Sequence, residues 1–168
     1  EILMAVGSGK AIRFPEEKVR PMGRNASGVR AMSLDTDNDI VVGMVCTDSD
    51  QESILVVSEN GYGKRTLVED YRVTNRGGKG VKTLSITEKT GSLVAIKVVT
   101  DEDDLMITTK NGIMIRMEMK EIRVMGRATQ GVRVINLKSG VVISSVAKVP
   151  HQEEEEVVDI TGEATEVQ

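Results

Sequence analysis

The sequence contains few of the residues that most often build reactive or metal-binding sites. It has one cysteine, one histidine and no tryptophan among 168 residues. The single cysteine, Cys46, cannot form an internal disulfide, so the chain suits a reducing compartment such as the cytoplasm. Because Cys46 ends an apolar run, we expect it to be a buried structural thiol. His151 follows the last apolar stretch, where we expect a solvated loop residue and no metal ligand.

Several classes of enzyme are excluded by what the chain lacks. There is no cluster of Cys and His residues for zinc and no Gly-Lys-Ser/Thr phosphate loop. A single histidine beyond the last apolar stretch cannot serve a Ser–His or Cys–His pair. Asp35, Asp37 and Asp39 resemble half of a calcium loop, but no Glu closes it at the required distance, so we interpret them as solvated turn acids. We therefore expect no catalytic residue, no metal and no cofactor in this chain.

Long apolar runs are missing as well. None approaches the roughly 20 residues that cross a membrane, and the chain lacks the pattern of a signal peptide. We therefore expect no membrane partner. The first residue is Glu and not Met, which we interpret as a sign that the chain is a piece of a longer protein.

Acidic residues are concentrated at the C-terminal end. Residues 151–168 hold seven acids and no Lys or Arg, out of 26 acids and 22 bases in the whole chain. Residues 1–150 therefore carry 19 acids against 22 bases, a net charge of +3, although the whole chain has −4. Because residues 151–168 are also poor in large apolar side chains, we predict an acidic disordered tail. A basic body with an acidic tail is typical of a protein that binds a polyanion.

A unit of about 50 residues occurs three times. Gly28, Gly80 and Gly131 lie 52 and 51 positions apart. A fixed period of this length indicates an array of supersecondary units. We place the repeats at about 1–50, 51–102 and 103–150. The same offset relates Gly9, Gly61 and Gly112.

Each repeat has the pattern of four β-strands. The first two form a hairpin around Ser-Gly or Asn-Gly, and Asn-Gly is a strong turn signal. The predicted first strands are Ile2–Val6, Ile54–Val57 and Leu105–Thr108, and the second are Lys10–Phe14, Gly63–Leu67 and Ile113–Met117. The predicted third strands are Val29–Leu34, Val81–Ile86 and Val132–Leu137, and the fourth are Ile40–Cys46, Leu93–Val99 and Val141–Ala147. Four strands per unit predict an all-β, propeller-like fold of four-stranded antiparallel blades. Consecutive apolar residues in first and fourth strands predict strands covered on both faces.

Basic residues recur in phase with the repeat. Twelve of the 22 bases fall into four columns when the three units are aligned. The columns are Arg13, Arg65 and Arg116; Arg20, Arg72 and Arg123; Arg24, Arg76 and Arg127; and Arg30, Lys82 and Arg133. Lys64 and Lys79 stand beside them, the latter in the glycine-rich stretch Thr74–Lys82. Because equivalent positions of successive blades lie side by side, we expect these cations to form continuous basic bands.

A basic band without base-reading groups suits the sugar-phosphate backbone of duplex DNA. Phosphate contacts supply affinity and orientation without sequence preference. Single-strand binding is disfavoured because it needs aromatic stacking platforms, and the only aromatic residues are Phe14, Tyr62 and Tyr71. The alternative is a propeller that binds proteins, with the columns forming salt bridges to acids. Duplex affinity that falls steeply with salt would separate these two hypotheses.

With these motifs in hand, the chain resembles the C-terminal part of the DNA gyrase A family. The resemblance depends on Asn60–Thr66 (Asn-Gly-Tyr-Gly-Lys-Arg-Thr), on Gly126–Val132 (Gly-Arg-Ala-Thr-Gln-Gly-Val), on the repeat period and on the acidic tail. It covers essentially the whole chain. Thr74–Gly80 resembles the family's Gln-Arg-Arg-Gly-Gly-Lys-Gly box, with Thr and Asn at the first two positions. Because that box belongs to the family's first blade, we interpret Thr74–Gly80 as an echo of it.

The resemblance implies a six-bladed β-pinwheel that wraps duplex DNA around a basic rim, with this chain as its last three blades. In that family, wrapping presents a DNA crossing to the cleavage core, so that an ATP-dependent type II topoisomerase introduces negative supercoils. The implied partners are duplex DNA, the gyrase B protein and the N-terminal cleavage core of the gyrase A protein. The catalytic tyrosine and the ATPase site lie elsewhere in that enzyme, so neither Tyr62 nor Tyr71 inherits a cleavage role. The related domain in the C protein of topoisomerase IV is the alternative.

Half of a ring leaves two blade faces without neighbours. We therefore expect either self-association of the chain or an open, screw-like arc. The acidic tail would compete with phosphates for the basic bands, so we expect deletion of residues 151–168 to tighten DNA binding.

Overall fold

The computed structural model describes residues 1–49 and 51–151, which form three antiparallel β-sheets. The predicted acidic tail lies outside the described residues, apart from His151. The strands are β1 (Ile2–Val6), β2 (Lys10–Phe14), β3 (Val41–Cys46), β4 (Ser53–Ser58), β5 (Tyr62–Leu67), β6 (Val81–Lys82), β7 (Leu93–Val99), β8 (Asp103–Thr109), β9 (Met114–Glu118), β10 (Val132–Arg133) and β11 (Ile143–Pro150). Single 3₁₀ turns follow β2, β5 and β9 at Glu16–Lys18, Val68–Asp70 and Met119–Glu121. In this part of the chain no helix has the length and hydropathy needed to cross a membrane.

Each repeat contributes a hairpin and one further strand to its own sheet, which we call a blade. The strand orders are β3-β1-β2, β7-β4-β5 and β11-β8-β9 in the three repeats. A fourth strand comes from the following repeat, since β6 pairs with β2 and β10 pairs with β5. We call this side of β2, β5 and β9 the outer edge of a blade. The third blade has three strands within the described residues, so the outer edge of β9 is open.

The predicted all-β fold and most of the predicted strands are confirmed. The first, second and fourth strands of every repeat are present, with ends shifted by at most three residues. The hairpin turns are confirmed as well, because Gly9, Gly61 and Gly112 have φ of +83°, +85° and +85° at the turn positions. These features depend on local turn chemistry and apolar runs, which a single sequence displays directly.

The predicted third strands are wrong in length and in partner. Only β6 and β10 pair, and each joins the sheet of the preceding repeat. Pairing of β6 stops opposite Lys10, where β2 begins, because the amides of Thr83 and Leu84 both donate to the carbonyl of Gly9 in the hairpin turn. Residues 29–34, the equivalent stretch of the first repeat, form no strand in the part of the chain that the structure describes. The outermost strand of the first and second blades therefore comes from the following repeat.

The hydrophobic core lies mainly between blades. Alternate residues of β4 face opposite sides, so Ile54 and Val56 join a cluster shared with the first repeat. Leu55 and Val57 join a second cluster, shared with the third repeat. Every residue of β4 is buried, as predicted for a strand covered on both faces. Packing between blades thus supplies the burial that one sheet alone could not.

The third strand in the chain, β3, departs from this pattern. It forms the inner edge of the first sheet, and Val41, Met44 and Cys46 are exposed along it. The expectation of a buried thiol is therefore wrong, because Cys46 is a free and exposed cysteine. One side of β3 packs against β7, where Gly43 lies against Ile96. The apolar run reflects that single contact and not burial on both faces.

Candidate nucleic-acid interface

Two basic loops cross the outer edges of the first and second blades. The first loop is anchored on β2, because the Thr74 amide donates to the Arg13 carbonyl at 2.8 Å. The second loop is anchored on β5, because the Met125 amide donates to the Arg65 carbonyl at 2.7 Å. Each loop is then followed by the exchanged strand, β6 or β10, which returns to the same edge. The loops are residues 74–80 and 125–131.

A glycine closes each loop where the chain crosses the preceding blade. Gly80 has φ +73°, and a Cβ there would lie 2.4 Å from the Ala11 carbonyl oxygen in β2. Gly131 has φ +79°, and its Cβ would lie 2.6 Å from the Gly63 carbonyl oxygen in β5. Only glycine satisfies both the positive φ and the close approach. The glycine period in the sequence therefore marks the junctions between repeats.

Arg13 and Arg65, from the first predicted column, are engaged inside the protein. Each guanidinium donates to the carbonyl that opens the 3₁₀ turn of the following repeat, at 2.7 Å for Val68 and 3.3 Å for Met119. Arg65 also lies 2.6 Å from Asp101, and its side chain is 7% exposed. These arginines brace the junctions between repeats, so a phosphate cannot reach Arg65 and meets little of Arg13.

The third member of this column, Arg116, has a different environment. It is exposed, and its Nε donates to Asp104 at 2.7 Å and its Nη2 to the Pro150 carbonyl at 3.1 Å. His151 Nδ1 lies 2.8 Å from the other oxygen of Asp104. These contacts, with His151 first and Arg116 next, lower the pKa of Asp104 below its usual value. His151 is exposed, as expected of a loop residue, and it serves as a partner of this carboxylate.

Arg76 and Arg127 hold the two basic loops against the preceding repeat. Arg76 donates from Nη1 to the Arg30 carbonyl at 3.0 Å, and Arg127 donates to the Lys82 carbonyl at 2.6 Å. Each Nε donates to the last carbonyl of the 3₁₀ turn in the preceding repeat, that of Lys18 at 2.9 Å for Arg76 and that of Asp70 at 3.2 Å for Arg127. Both side chains are half-buried. Their guanidinium groups therefore lie at the base of each loop, where these hydrogen bonds fix the loop against the preceding repeat.

Lys64 is buried and holds the second loop from the inside. Its ammonium donates to the carbonyls of Gly126 at 2.8 Å, Thr129 at 3.0 Å and Arg127, and to the Thr129 hydroxyl at 3.1 Å. Burial, together with the charge of Arg127, lowers the pKa of Lys64 to about 8. Lys64 is 0% exposed, so it cannot contact DNA in this structure. The sequence carried one indication that this position is buried: Ile12, an apolar residue, occupies the equivalent position in the first repeat.

Eight further predicted cations are exposed. Lys82 and Arg133 lie on the outermost strands β6 and β10, opposite Lys10 and Tyr62 in the two ladders. Lys79 stands in the first loop with a side chain that is 76% exposed. The eight are Arg20, Arg24, Arg30, Arg72, Lys79, Lys82, Arg123 and Arg133. Of these, Lys79, Lys82 and Arg133 lie on the first loop and the outer strands. The contact of all eight with DNA stays a prediction.

Tyr62 supports Arg133 on its outer strand. The Arg133 guanidinium lies 5.5 Å from the ring centroid, and its Nη2 donates to the Tyr62 hydroxyl at 3.0 Å. This hydrogen bond lowers the pKa of Tyr62 from its ordinary value. The Lys89 ammonium also lies 5.5 Å from the ring. Tyr62 is 5% exposed, so its role here is to position a cation.

The acids near the first hairpin turn pair with their neighbours. Asp35 forms an ion pair with Lys10, which lowers the pKa of Asp35, and lies 3.9 Å from Lys79. Asp39 accepts hydrogen bonds from the Ser8 amide at 3.0 Å and the Ser8 hydroxyl at 2.5 Å. Within residues 1–49 and 51–151, no group of three or more His, Cys, Asp or Glu could hold a metal ion. The acids therefore stabilise a turn and temper nearby positive charge.

A family model matches the chain once per repeat. The family is described as the DNA gyrase C-terminal domain, a beta-propeller, and the matched segments are residues 1–48, 52–100 and 103–150. The DNA gyrase A protein of Staphylococcus epidermidis (strain ATCC 12228) is 48% identical over 155 residues, covering 92% of this chain and 17% of that protein. The DNA gyrase A protein of Staphylococcus aureus (strain MRSA252) is 49% identical over 160 residues, covering 95% and 18%. The chain thus spans less than a fifth of the length of these curated relatives.

Two solved structures share the arrangement of blades. The C-terminal domain of DNA topoisomerase IV has a TM-score of 0.83 at 25% identity, covering 89% of this chain and 46% of that one. A DNA gyrase A C-terminal domain has a TM-score of 0.79 at 27% identity, covering 88% of this chain and 50% of that one. The exchanged outer strand and the basic loops of this chain therefore occur within a known fold.

Proposed function

The chain belongs to the family of DNA gyrase C-terminal domains, and from this premise we propose that it binds duplex DNA along the outer edges of its blades. The placement of Lys82 and Arg133 carries the proposal. Both are exposed on the outermost strand of a blade and at equivalent positions in the ladder. Equivalent charges on successive edges provide a track for the phosphates of a duplex. Identity of 48–49% to DNA gyrase A proteins over more than 90% of the chain favours gyrase over the topoisomerase IV alternative.

The contacts would be to the sugar-phosphate backbone. Arg and Lys on loops and strand edges bind phosphate oxygens without reading base sequence. Base stacking is disfavoured, because Phe14, Tyr62 and Tyr71 are 1%, 5% and 0% exposed. The half-buried Arg76 and Arg127 contribute by holding the loops in shape, while Lys79 on the first loop remains accessible. The interface is therefore suited to duplex DNA of any sequence.

Bending of the bound DNA gives this binding a role in the whole enzyme. DNA that follows several edges in turn must bend, which costs on the order of 1–6 kcal/mol for a strong bend over 20–30 bp. Contacts to successive blades offset that cost. We infer that the chain contributes to DNA wrapping by gyrase, and that its partners in negative supercoiling are the gyrase B protein and the N-terminal cleavage core of the gyrase A protein.

The salt dependence of duplex binding tests the proposal. We expect log K to fall with log [salt] by about 0.9 for each phosphate neutralised. The double variant Lys82→Gln, Arg133→Gln should reduce that slope by about 2, one unit for each cation, and to the same extent on duplexes of different sequence. Fluorescence anisotropy with a labelled duplex over a series of salt concentrations measures both quantities.

Lys148→Gln supplies the matched control. Lys148 is exposed on β11, at the edge of its sheet opposite to β9, so the control removes one positive charge away from the outer edges, as each outer-edge substitution removes one from them. It should leave the slope nearly unchanged. Weak duplex binding at low salt, or equal losses for control and outer-edge variants, would contradict binding along these edges.

A further inference from the structure

Two cations converge on Tyr62 at the hairpin end of the second blade. Arg133 faces Tyr62 across the ladder of β10 and β5. Lys89 reaches the same ring from the turn at residues 87–91, which precedes β7. The Arg133 guanidinium carbon and the Lys89 ammonium nitrogen each lie 5.5 Å from the ring centroid. We call Tyr62, Lys89 and Arg133 the Tyr62 cluster.

The turn that carries Lys89 is fixed by hydrogen bonds. The Thr87 amide donates to the Thr90 hydroxyl at 2.9 Å, and the Thr90 amide donates to the Thr87 hydroxyl at 3.3 Å. The side-chain amide of Asn60 donates to the carbonyls of Glu88 at 3.2 Å and Lys89 at 3.3 Å. Lys89 therefore extends from a fixed backbone, which lowers the ordering cost of binding a ligand.

Arg133 is oriented by two neutral groups and keeps donors for a ligand. Its Nη2 donates to the Tyr62 hydroxyl at 3.0 Å, and its Nη1 donates to the Asn136 side-chain oxygen at 3.1 Å. A guanidinium has five N–H donors, so these two bonds leave others for an anion. Both Arg133 and Lys89 are exposed, so an anion in solution can reach them.

The Tyr62 cluster has no acid of its own within residues 1–49 and 51–151. Neither Lys89 nor Arg133 forms an ion pair with a carboxylate there. The equivalent position of the first blade differs, because Lys10 faces Lys82 and Asp35 pairs with Lys10. Two like charges beside one ring repel each other, and the π face compensates only in part. An anion from outside would remove that repulsion.

Lys89 lies outside the repeated columns of cations. Strands β3 and β7 begin at Val41 and Leu93, 52 positions apart, so Lys89 aligns with Asp37 of the first repeat. The same turn thus carries an acid in the first blade and a base in the second. The repeat period gives no reason to select Lys89, whereas its approach to Tyr62 does.

We propose that the Tyr62 cluster is a phosphate-binding subsite, in which Lys89 and Arg133 bind the phosphate and Tyr62 positions them. The inference rests on the proposed function, duplex binding along the outer edges. Arg133 would supply directed N–H donors and Lys89 a point charge, a combination that suits phosphate oxygens. Tyr62 is 5% exposed, so it acts through the two cations and offers no platform for a base. Lys89 is then a DNA contact that belongs to the second blade alone.

The Tyr62 phenol tests the convergence of the two cations without DNA. The hydrogen bond from Arg133, and then the charges of Arg133 and Lys89, lower the pKa of Tyr62 below its ordinary value of 10.0. Burial raises the pKa of Tyr71, the other tyrosine, to about 12, so the two phenols ionise in separate ranges. Followed by ultraviolet absorbance, the Tyr62 pKa should rise toward 10.0 in Lys89→Gln and in Arg133→Gln. Lys148→Gln should leave it unchanged.

Duplex binding tests the subsite itself. In anisotropy titrations at several salt concentrations, Lys89→Gln should reduce the slope of log K against log [salt] by about 1. Lys148→Gln is the matched control and should leave the slope nearly unchanged. Lys89→Gln with the control slope, in a protein that binds duplex, would overturn the subsite and leave the proposed function standing. No duplex binding by the wild type at low salt would overturn both.

A double-variant cycle tests the positioning role of Tyr62. Tyr62→Phe keeps the ring and removes the hydroxyl, so the affinity for duplex should fall by about threefold to tenfold. In the Arg133→Gln background the same change should have almost no effect, because the group that Tyr62 positions is gone. Variants are compared only when their circular dichroism spectra match the wild type. Equal losses in both backgrounds, or a Tyr62 pKa that neither substitution moves, would contradict the cluster.

Discussion

Lys64 and Arg65 are adjacent cations that leave β5 on opposite faces. Lys64 donates to carbonyls of residues 126–129, and Arg65 donates to Asp101 and to the Met119 carbonyl in the 3₁₀ turn of the following repeat. Both are buried because protein acceptors replace water around each charge. Spacing in the sequence placed Arg65 in a repeated column, with Lys64 beside it, but it could not show which way the two side chains point. An apolar residue at the equivalent position, Ile12, was the available clue.

Replacement of Lys64 by Met should destabilise the protein. The carbonyls of Gly126 and Thr129 would lose their donor, and a buried polar group left unsatisfied costs about 1–3 kcal/mol. We expect the free energy of unfolding to fall by about 2–3 kcal/mol in urea denaturation. Ile12→Met, at the equivalent position, is the matched control and should cost less than about 1.5 kcal/mol. Equal losses would show that the hydrogen bonds of Lys64 contribute little.

The proton on Lys64 gives the same substitution a pH signature. The pKa of Lys64 is about 8, below its ordinary value of 10.5. Between these values the unfolded chain binds the proton more tightly, so this residue raises the free energy of unfolding as pH rises from 8 to 10.5. The difference between wild type and Lys64→Met should widen over that range in urea titrations at several pH values. A constant difference would contradict a lowered pKa.

At the scale of strands and turns, the sequence showed which strands pair within a repeat and not which strands pair between repeats. Hairpins around Gly9, Gly61 and Gly112 could be predicted, because the turn and both strands lie within a few residues. The outer strands could not be placed, because the partner of β6 lies about 70 residues away in the preceding repeat. Apolar runs indicate that a strand is covered, and they do not say by which repeat.

Gly80→Ala should weaken the junction between the first two blades more than Gly28→Ala weakens the protein. Both positions have positive φ, which costs alanine about 1–2 kcal/mol. Only at Gly80 would the Cβ collide with a neighbour, 2.4 Å from the Ala11 carbonyl oxygen. We expect an additional loss of about 1–3 kcal/mol for Gly80→Ala, measured by urea denaturation at protein concentrations that keep the chain monomeric. Similar losses of unfolding free energy for the two variants would mean that the backbone at the junction shifts at little cost to make room for the Cβ.

At the scale of the whole molecule, the period of the sequence predicted an array of blades, and the family and the fold confirm it. The period also predicted continuous basic bands. The structure divides those columns between junctions and surface, with Arg65 buried and Lys82 exposed on an outer strand. Periodicity reports which positions are equivalent in an array. It cannot report whether an equivalent position faces solvent or the next repeat.

Removal of residues 152–168 should strengthen duplex binding. This segment carries seven acids and no base, and it follows a body with a net charge of +3. The cut after His151 keeps its contact with Asp104. We expect an increase of about tenfold in affinity at low salt, or about 1.4 kcal/mol, that shrinks as salt screens the tail. Anisotropy titrations with a labelled duplex measure it.

A chain of full length with the seven acids replaced by Gln or Asn is the control for tail length. It should bind as tightly as the truncated chain, because the effect belongs to charge. If truncation and neutralisation both leave the affinity unchanged, the tail does not compete for the outer edges.

The exchanged outer strand has a consequence for how such arrays can grow in evolution. The second repeat both donates and accepts a strand, because its β6 pairs with β2 of the first repeat and its β5 pairs with β10 of the third. A tandem duplication of that repeat therefore arrives with both halves of its new contact already matched. The number of blades can therefore change by whole units without a new kind of contact between blades. Each added outer strand also adds its cations to the basic surface.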